Sequence, residues 1–246
     1  MADDKEMSLL DHLEELRQRL IISVVAILVV TMVAFFLSDA ILKILLLPAG
    51  EMRLNAFSIM DGFLIKWRVA LYTGIVLAFP IWAFHVYRFV APGLTDREQK
   101  AIFPTLWGAL VLFLIGAAFG YYLLWGMVRV LVQLFPAQVT YLPSADDYIG
   151  FVVFFLLACG LAFQLPIVLI ILIRLRILSV DLLTRQRRIA YFALFVFAEI
   201  ITPVSDPIVA PLSVMIPLIL LYELSIWVGR GIERRRKRSE ERALAS

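Results

Sequence analysis

Only a few polar or ionisable side chains interrupt the long apolar runs of this 246-residue chain. They are His85, Gln164, Glu199 and Glu223 within the runs, and Asp206 in the turn between the last two. Polar and ionisable groups are costly inside a hydrocarbon layer, so each is a candidate for function. Gln164 lies deepest. Its amide either bonds a backbone carbonyl freed by Pro166 or marks a polar pocket that accepts a partner helix.

Catalytic and metal-binding patterns are absent from the sequence. The chain has two histidines and a single cysteine, Cys159, and it lacks a His-Glu-x-x-His motif, a Gly-x-Ser-x-Gly elbow and a phosphate loop. Asp146 and Asp147 could suggest a cation site, but no further ligands follow at suitable spacing, which favours a solvated loop or a helix N-cap. We therefore expect no catalytic residue, no metal and no cofactor, and we do not expect an enzyme.

Six apolar runs form the framework that must position the polar groups. The chain is 62% hydrophobic and has a mean hydropathy of +0.92, well outside the composition of soluble globular proteins. About 20 helical residues cross a hydrocarbon core of about 30 Å. The runs therefore predict an all-α membrane protein, a single domain over residues 1–246 with six transmembrane helices. The predicted helices are Leu20–Leu37, Val69–Phe89, Ile102–Leu124, Ile149–Ile173, Ile189–Ile201 and Ile208–Val228.

Basic residues are concentrated on one side of these six helices. The N-terminus, the 2–3 loop with Arg88 in the turn before it, the 4–5 loop and the tail hold 18 of the 23 lysines and arginines. Positively charged segments stay on the cytoplasmic side, so both termini are predicted to be cytoplasmic. The basic tail, residues 229–246, is expected to contact anionic membrane lipid rather than nucleic acid.

The N-terminal residues and the prolines predict the finer shape. Residues 1–19 are predicted to form an amphipathic helix at the cytoplasmic surface that runs into the first span, because the leucines at 9, 13, 16 and 20 follow 4-3-4 spacing. Its charges could be only a solvated face, with Glu14–Arg17 and Glu15–Arg19 as helical pairs. The fifth apolar run has 13 residues, and the sixth contains Pro211 and Pro217. We therefore expect short helices 5 and 6 in a concave bundle of bent helices. The outer segment after the first span is expected to break at Pro48 into short interfacial helices.

Two motifs carry a family resemblance. The 2–3 loop reads Phe89-Val-Ala-Pro-Gly-Leu-Thr-Asp-Arg-Glu98, and the N-terminal helix reads His12-Leu-Glu-Glu-Leu-Arg-Gln-Arg-Leu20. Together with Thr202-Pro203, Asp206-Pro207 and Leu221-Tyr-Glu223 around the last span, they make the chain resemble the TatC family. This family is the multispanning subunit of the twin-arginine protein translocase, and the resemblance covers nearly the whole chain.

The resemblance implies a receptor for twin-arginine signal peptides and a core subunit of a translocase that exports folded proteins across the bacterial cytoplasmic (inner) membrane, a process tied to ion gradients such as the proton motive force. Glu15 and Glu98 would bind the arginine pair, because a carboxylate accepts two parallel hydrogen bonds from a guanidinium fork. Phe89 and Leu94 would pack against apolar signal residues, and Arg17 would orient Glu15 or Glu98.

The resemblance also implies partners within the membrane. Gln164 would receive the single-span subunits TatA or TatB, in a multimeric complex in which this chain self-associates with TatB. Several relatives carry glutamate at this position, so the chain departs from the family pattern here. Pro48 and Asp206 would have structural roles on the periplasmic side.

Two other classes of function are compatible with the residues alone. A secondary transporter would need coupled polar groups near the membrane midplane, and uptake of a small solute that depends on Gln164 would favour it. A purely structural membrane protein would tolerate alanine at both Glu15 and Glu98 while export of folded cargo continued.

Overall fold

The computed structural model describes residues 9–50, 52–90, 96–133, 143–202 and 209–244. Over these residues the chain forms nine α-helices and one 3₁₀ turn, with an isolated β-bridge between Asn55 and Ser144. The helices are α1 Leu9–Leu46, α2 Asp61–Leu77, α3 Phe79–Val90, α4 Asp96–Gln133, α5 Ala145–Ala162, α6 Leu165–Arg174, α7 Val180–Arg185, α8 Arg187–Ile201 and α9 Val209–Leu244. The predicted all-α fold is confirmed.

Four segments of this structure are long and apolar enough to cross a membrane: Leu10–Ala49, Thr105–Val130, Ala145–Arg174 and Ala210–Arg236. They correspond to the predicted spans 1, 3, 4 and 6. The predicted second span is a pair of helices, α2 and α3, bent by 50° at their junction and able to serve as a fifth crossing. Pro80 lies in the first turn of α3, where it cannot donate a backbone hydrogen bond to the preceding turn.

The predicted fifth span is α8, which has 15 residues. At 1.5 Å per residue it is about 22 Å long, so it is shorter than a hydrocarbon core of about 30 Å. The short helix is therefore confirmed, while the count of six crossings stays a prediction.

The sixth helix is longer than predicted. Helix α9 has 36 residues and continues through the basic tail to Leu244. Arginine and glutamate are good helix formers, so the charged tail extends the helix instead of ending it. Pro211 lies in the first turn, where a missing backbone donor costs little, and Pro217 lies inside the helix.

Residues 1–46, 55–106 and 144–153 form one compact unit. Helices α1 and α2 pack to backbone contact in it, because a Cβ on Gly74 would lie 2.9 Å from Thr31 Cα. The Arg68 guanidinium forms an ion pair with Asp146 in the first turn of α5, with 3.1 Å between Nη2 and Oδ2. The Asp146–Asp147 pair therefore lies within the first turn of α5 and not in a solvated loop or at the N-cap; Ser144 precedes the helix, and its Oγ accepts the backbone N–H of Asp147 at 3.4 Å.

Residues 47–54, 107–143 and 154–246 form the second compact unit. Its helices α4 and α5 approach each other through glycine: a Cβ on Gly116 would lie 2.6 Å from the Cys159 carbonyl oxygen, and one on Gly120 would lie 3.0 Å from Cys159 Sγ. Small residues four apart allow such close packing of membrane helices.

A hydrophobic core in the same unit joins α6, α7 and α9. Its buried residues are Leu169, Ile173, Val180, Leu183, Tyr222 and Ile226.

The segment after α1 breaks at the predicted place. Pro48 is buried in a 3₁₀ turn over Leu47–Ala49, and Gly50 follows with a φ of +60°. Glycine adopts this left-handed conformation without steric cost. The chain leaves α1 through this tight turn, and the next helix begins at Asp61.

Candidate functional site

One oxygen of the Glu15 carboxylate accepts hydrogen bonds and the other accepts none from the described residues. Arg19, one turn later on α1, donates to Glu15 Oε1 from Nε at 2.8 Å and also from Nη2. The second oxygen, Oε2, is buried and accepts no hydrogen bond from the residues that the structure describes. A buried oxygen without a donor is a costly arrangement, so a donor supplied by a ligand would stabilise it.

An aromatic stack brings the two sequence motifs together. The His12 ring, one turn before Glu15, stacks on Phe89 at the end of α3 with 4.3 Å between ring centroids and 13° between planes. His12 Nδ1 also lies 3.8 Å from Glu15 Oε2. The His12 ring therefore lies between Phe89 and the Glu15 carboxylate in this chain of contacts, and a binding site shared by the N-terminal helix and the 2–3 loop stays a prediction.

Among the described residues, Glu15 forms its ion pair with Arg19 and not with Arg17. Arg17, which we expect to orient Glu15 or Glu98, is exposed on α1. A helix places residues four apart on the same face and residues two apart on different faces. The helical pair Glu15–Arg19 is thus confirmed, and the orienting role of Arg17 stays a prediction.

Other predicted site residues lie outside the described part of the chain. Leu94 and Asp206 fall in segments that the structure does not describe, and Glu98 lies in the first turn of α4 with its side chain outside the description. Their proposed roles stay predictions.

Gln164 lies at the break between α5 and α6. Its backbone N–H donates to the Leu161 carbonyl at 2.9 Å. The Gly160 carbonyl, which would accept this N–H in a regular α-helix, therefore loses its usual backbone donor. The side-chain amide donates to the Ala109 carbonyl of α4 at 3.0 Å and approaches the freed Gly160 carbonyl at 3.5 Å. Gln164 therefore stabilises a broken helix and ties it to α4.

Gln164→Glu and Gln164→Leu are both expected to lower the melting temperature of the purified protein by a few degrees. Both changes remove the amide donor, which contributes about 1 kcal/mol, and 1 kcal/mol corresponds to about 2–4 °C in a protein of this size. Thermal unfolding in detergent measures the shift. Gln186→Leu, a surface glutamine whose side chain makes no capping bond, is the control, and an equal loss there would contradict the role of Gln164.

Sequence reasoning left Glu223 without a role. In the structure Glu223 accepts from Arg187 Nη2 at 2.6 Å and from the Tyr191 hydroxyl at 2.7 Å, so it joins α9 to the start of α8. Tyr222 extends the cluster, because its hydroxyl donates to the Leu183 carbonyl at 2.8 Å. The sequence pointed to the Arg187–Glu223 ion pair only through the predicted topology. Arg187 precedes the fifth span and Glu223 lies near the end of the sixth, so both residues are predicted to lie on the same side of the membrane.

No group of three or more histidine, cysteine or acidic side chains that could hold a metal occurs within the described ranges. The fold and these contacts define a multispanning helical membrane protein that carries a paired carboxylate and an aromatic stack near the N-terminal end of its first helix. Apolar side chains face outward along α1, including Phe36 at 83% exposure, as expected where lipid is the solvent.

Comparison with known proteins gives the family. The family described as "Sec-independent protein translocase protein (TatC)" matches residues 11–217. TatC of Carboxydothermus hydrogenoformans is 36% identical over 234 residues, covering 94% of this chain and 96% of the relative. TatCy of Bacillus subtilis is 34% identical over 241 residues, covering 95% and 93%. The chain belongs to the TatC family.

Solved structures agree with this assignment. A crystal structure of the twin-arginine translocase receptor TatC in the detergent DDM aligns with a TM-score of 0.78 at 34% identity, covering 89% of this chain and 99% of that one. A second crystal structure of the same receptor aligns with a TM-score of 0.75. The predicted TatC resemblance and fold are both confirmed.

Proposed function

We propose that this protein is the twin-arginine signal-peptide receptor and a core subunit of the Tat translocase, which exports folded proteins across the bacterial cytoplasmic membrane. The observation that carries the proposal is the buried, unsatisfied Oε2 of Glu15, next to the His12–Phe89 stack. An arginine of the signal peptide would donate to this oxygen while Arg19 keeps Oε1 in place.

Exposed leucines on the same helix as Glu15 would supply an apolar contact for the rest of the signal peptide. Leu13, Leu16 and Leu20 of α1 are all exposed, and they lie on one helix face. Together with Phe89, and with Leu94 in the loop, they would receive the apolar residues that follow the arginine pair. Glu98 would bind the second arginine, and the exposed Arg17 would assist its orientation.

The remaining roles follow from family membership and from the sequence. TatA or TatB would dock as single helices at Gln164, whose side-chain oxygen accepts no hydrogen bond from described residues, and copies of this chain would assemble with TatB. Pro48 and Asp206 would shape the periplasmic side, and both termini would lie in the cytoplasm. The protein would bind and move cargo without catalysing a chemical reaction and without a metal or cofactor.

Site-specific photocrosslinking tests the receptor proposal. A photoreactive residue at Leu16, one position after Glu15, is expected to label a signal peptide that carries two arginines and not the same peptide with two lysines. The peptides have equal charge, so the comparison isolates the planar fork of arginine from its positive charge. Labelling of both peptides to the same extent, or labelling that an excess of free twin-arginine peptide does not reduce, would contradict the proposal.

A further inference from the structure

A basic cavity lies at the charged end of α9. It has a volume of about 640 Å³, and four arginines line it: Arg174 from the end of α6, and Arg230, Arg234 and Arg235 from α9. Trp227 and Gly231 also line it. We refer to these six residues as the arginine pocket. Because two separate helices build it, the pocket is a feature of the folded unit and not of the tail sequence alone.

The arginine pocket carries the positive charge of four guanidinium groups. Within the described residues, none of the four arginines forms an ion pair. The nearest acid on the same helix, Glu233, is engaged elsewhere: its Oε1 accepts the backbone N–H of Val180 at the start of α7 at 3.0 Å. Four guanidinium groups around one cavity therefore favour an anion, and their planar forks suit phosphate oxygens.

The depth of the pocket matches a lipid headgroup. The apolar part of α9 begins at Ala210, and a core of about 30 Å ends about 20 residues later, next to Arg230. Trp227 is 72% exposed one turn before that point, where tryptophan is enriched at membrane surfaces. Leu220 and Leu224 are also exposed and continue the same helix face into the apolar region.

We propose that the arginine pocket binds the phosphodiester headgroup of an anionic phospholipid, whose acyl chains lie along Leu220, Leu224 and Trp227. A soluble phosphate compound would use the arginines but would leave this apolar face without a ligand. An acidic protein segment would match the charge, but it would not account for the position of the pocket at headgroup depth. The proposal does not rest on signal-peptide binding and can be tested without it.

The test is native mass spectrometry of the full-length protein in detergent, titrated with phosphatidylglycerol and with phosphatidylcholine of identical acyl chains. We expect phosphatidylglycerol to bind about tenfold more tightly, a difference of the size that one charged contact produces. Arg174→Gln is expected to remove this preference, whereas Arg238→Gln, the same charge change on α9 outside the pocket, is expected to keep it.

A second variant tests the pocket without changing charge. Gly231 lines the cavity, and a Cβ there would meet no atom within 4 Å. Gly231→Leu therefore places a side chain in the cavity and is expected to remove the preference as well. Melting temperatures confirm that each variant is folded.

Three results would overturn the proposal. The first is equal affinity for the two lipids, and the second is a loss in Arg238→Gln as large as in Arg174→Gln, which would indicate diffuse attraction to the whole tail. The third is binding of inorganic phosphate or glycerol phosphate as tight as that of phosphatidylglycerol, which would assign the pocket to a soluble anion.

Discussion

Replacing Gly116 by alanine is expected to lower the melting temperature of the purified protein, whereas the same change at Gly126 on the same helix is expected to preserve or raise it. A methyl group on Gly116 would lie 2.6 Å from the Cys159 carbonyl oxygen and 2.8 Å from Phe163 Cβ. A backbone carbonyl cannot rotate away as a side chain can, so helices α4 and α5 must separate. Overpacking of this kind costs about 1–3 kcal/mol.

Gly126 supplies the matched comparison. A Cβ there would meet no atom within 4 Å, so the substitution changes only helix propensity, which favours alanine by up to about 1 kcal/mol. The two variants should therefore move in opposite directions, with a loss of about 2–12 °C for Gly116→Ala and a larger loss for Gly116→Val. Differential scanning fluorimetry in detergent measures both. Equal melting temperatures for the two alanine variants would contradict the close approach of α4 and α5.

Replacing Glu15 by glutamine is expected to weaken binding of a twin-arginine signal peptide by about tenfold to a hundredfold. The change keeps the side chain's size but removes the negative charge, and with it a charge-assisted hydrogen bond that contributes about 1.5–3 kcal/mol. Glu15 is well placed to contribute this much because its side chain is only 19% exposed. Fluorescence anisotropy of a labelled peptide with the protein in lipid nanodiscs measures the affinity.

Glu14→Gln is the control for Glu15→Gln, since Glu14 is adjacent, exposed and of the same charge. It is expected to change the affinity by less than about twofold, because an exposed charge is screened by solvent. The difference in affinity between the twin-arginine and the twin-lysine peptide should also be smaller for Glu15→Gln than for the unchanged protein. This comparison is a double-mutant cycle, and it isolates the contact between the carboxylate and the guanidinium group. An undiminished difference would place arginine recognition elsewhere in the protein.

The sequence was sufficient for the features that depend on local chemistry. Apolar runs predicted helices at the positions of α1, α4, α5 and α9, and the run before Thr202 predicted the short α8. The pair Glu15–Arg19 was visible because residues four apart share a helix face. Hydropathy could not show that α9 extends to Leu244, since a scale that counts apolar residues cannot distinguish a charged helix from a charged loop.

The candidate site could not be predicted in full from the sequence, because it depends on contacts between residues that are far apart in the chain. The stacking of His12 on Phe89 joins two segments whose sequences do not specify their relative position. The hydrogen bonds from Arg187 and Tyr191 to Glu223 are equally non-local. By contrast, the spacing of Gly116 and Gly120 on an apolar helix is a readable signal for close helix packing, and it identifies the contact with Cys159 that no polar residue indicates.

Helix α1 contains neither glycine nor proline between Leu9 and Leu46, so it lacks the residues that usually kink a helix. Glu15 near one end and Leu45 near the other are separated by about 45 Å of continuous helix. The Leu45 carbonyl accepts a hydrogen bond from the Tyr148 hydroxyl at 3.2 Å. A tilt of about 5° imposed at Glu15 would move Leu45 by about 4 Å, which exceeds the range of that bond. We therefore expect the hydrogen bond between Tyr148 and Leu45 to break if α1 tilts by this amount.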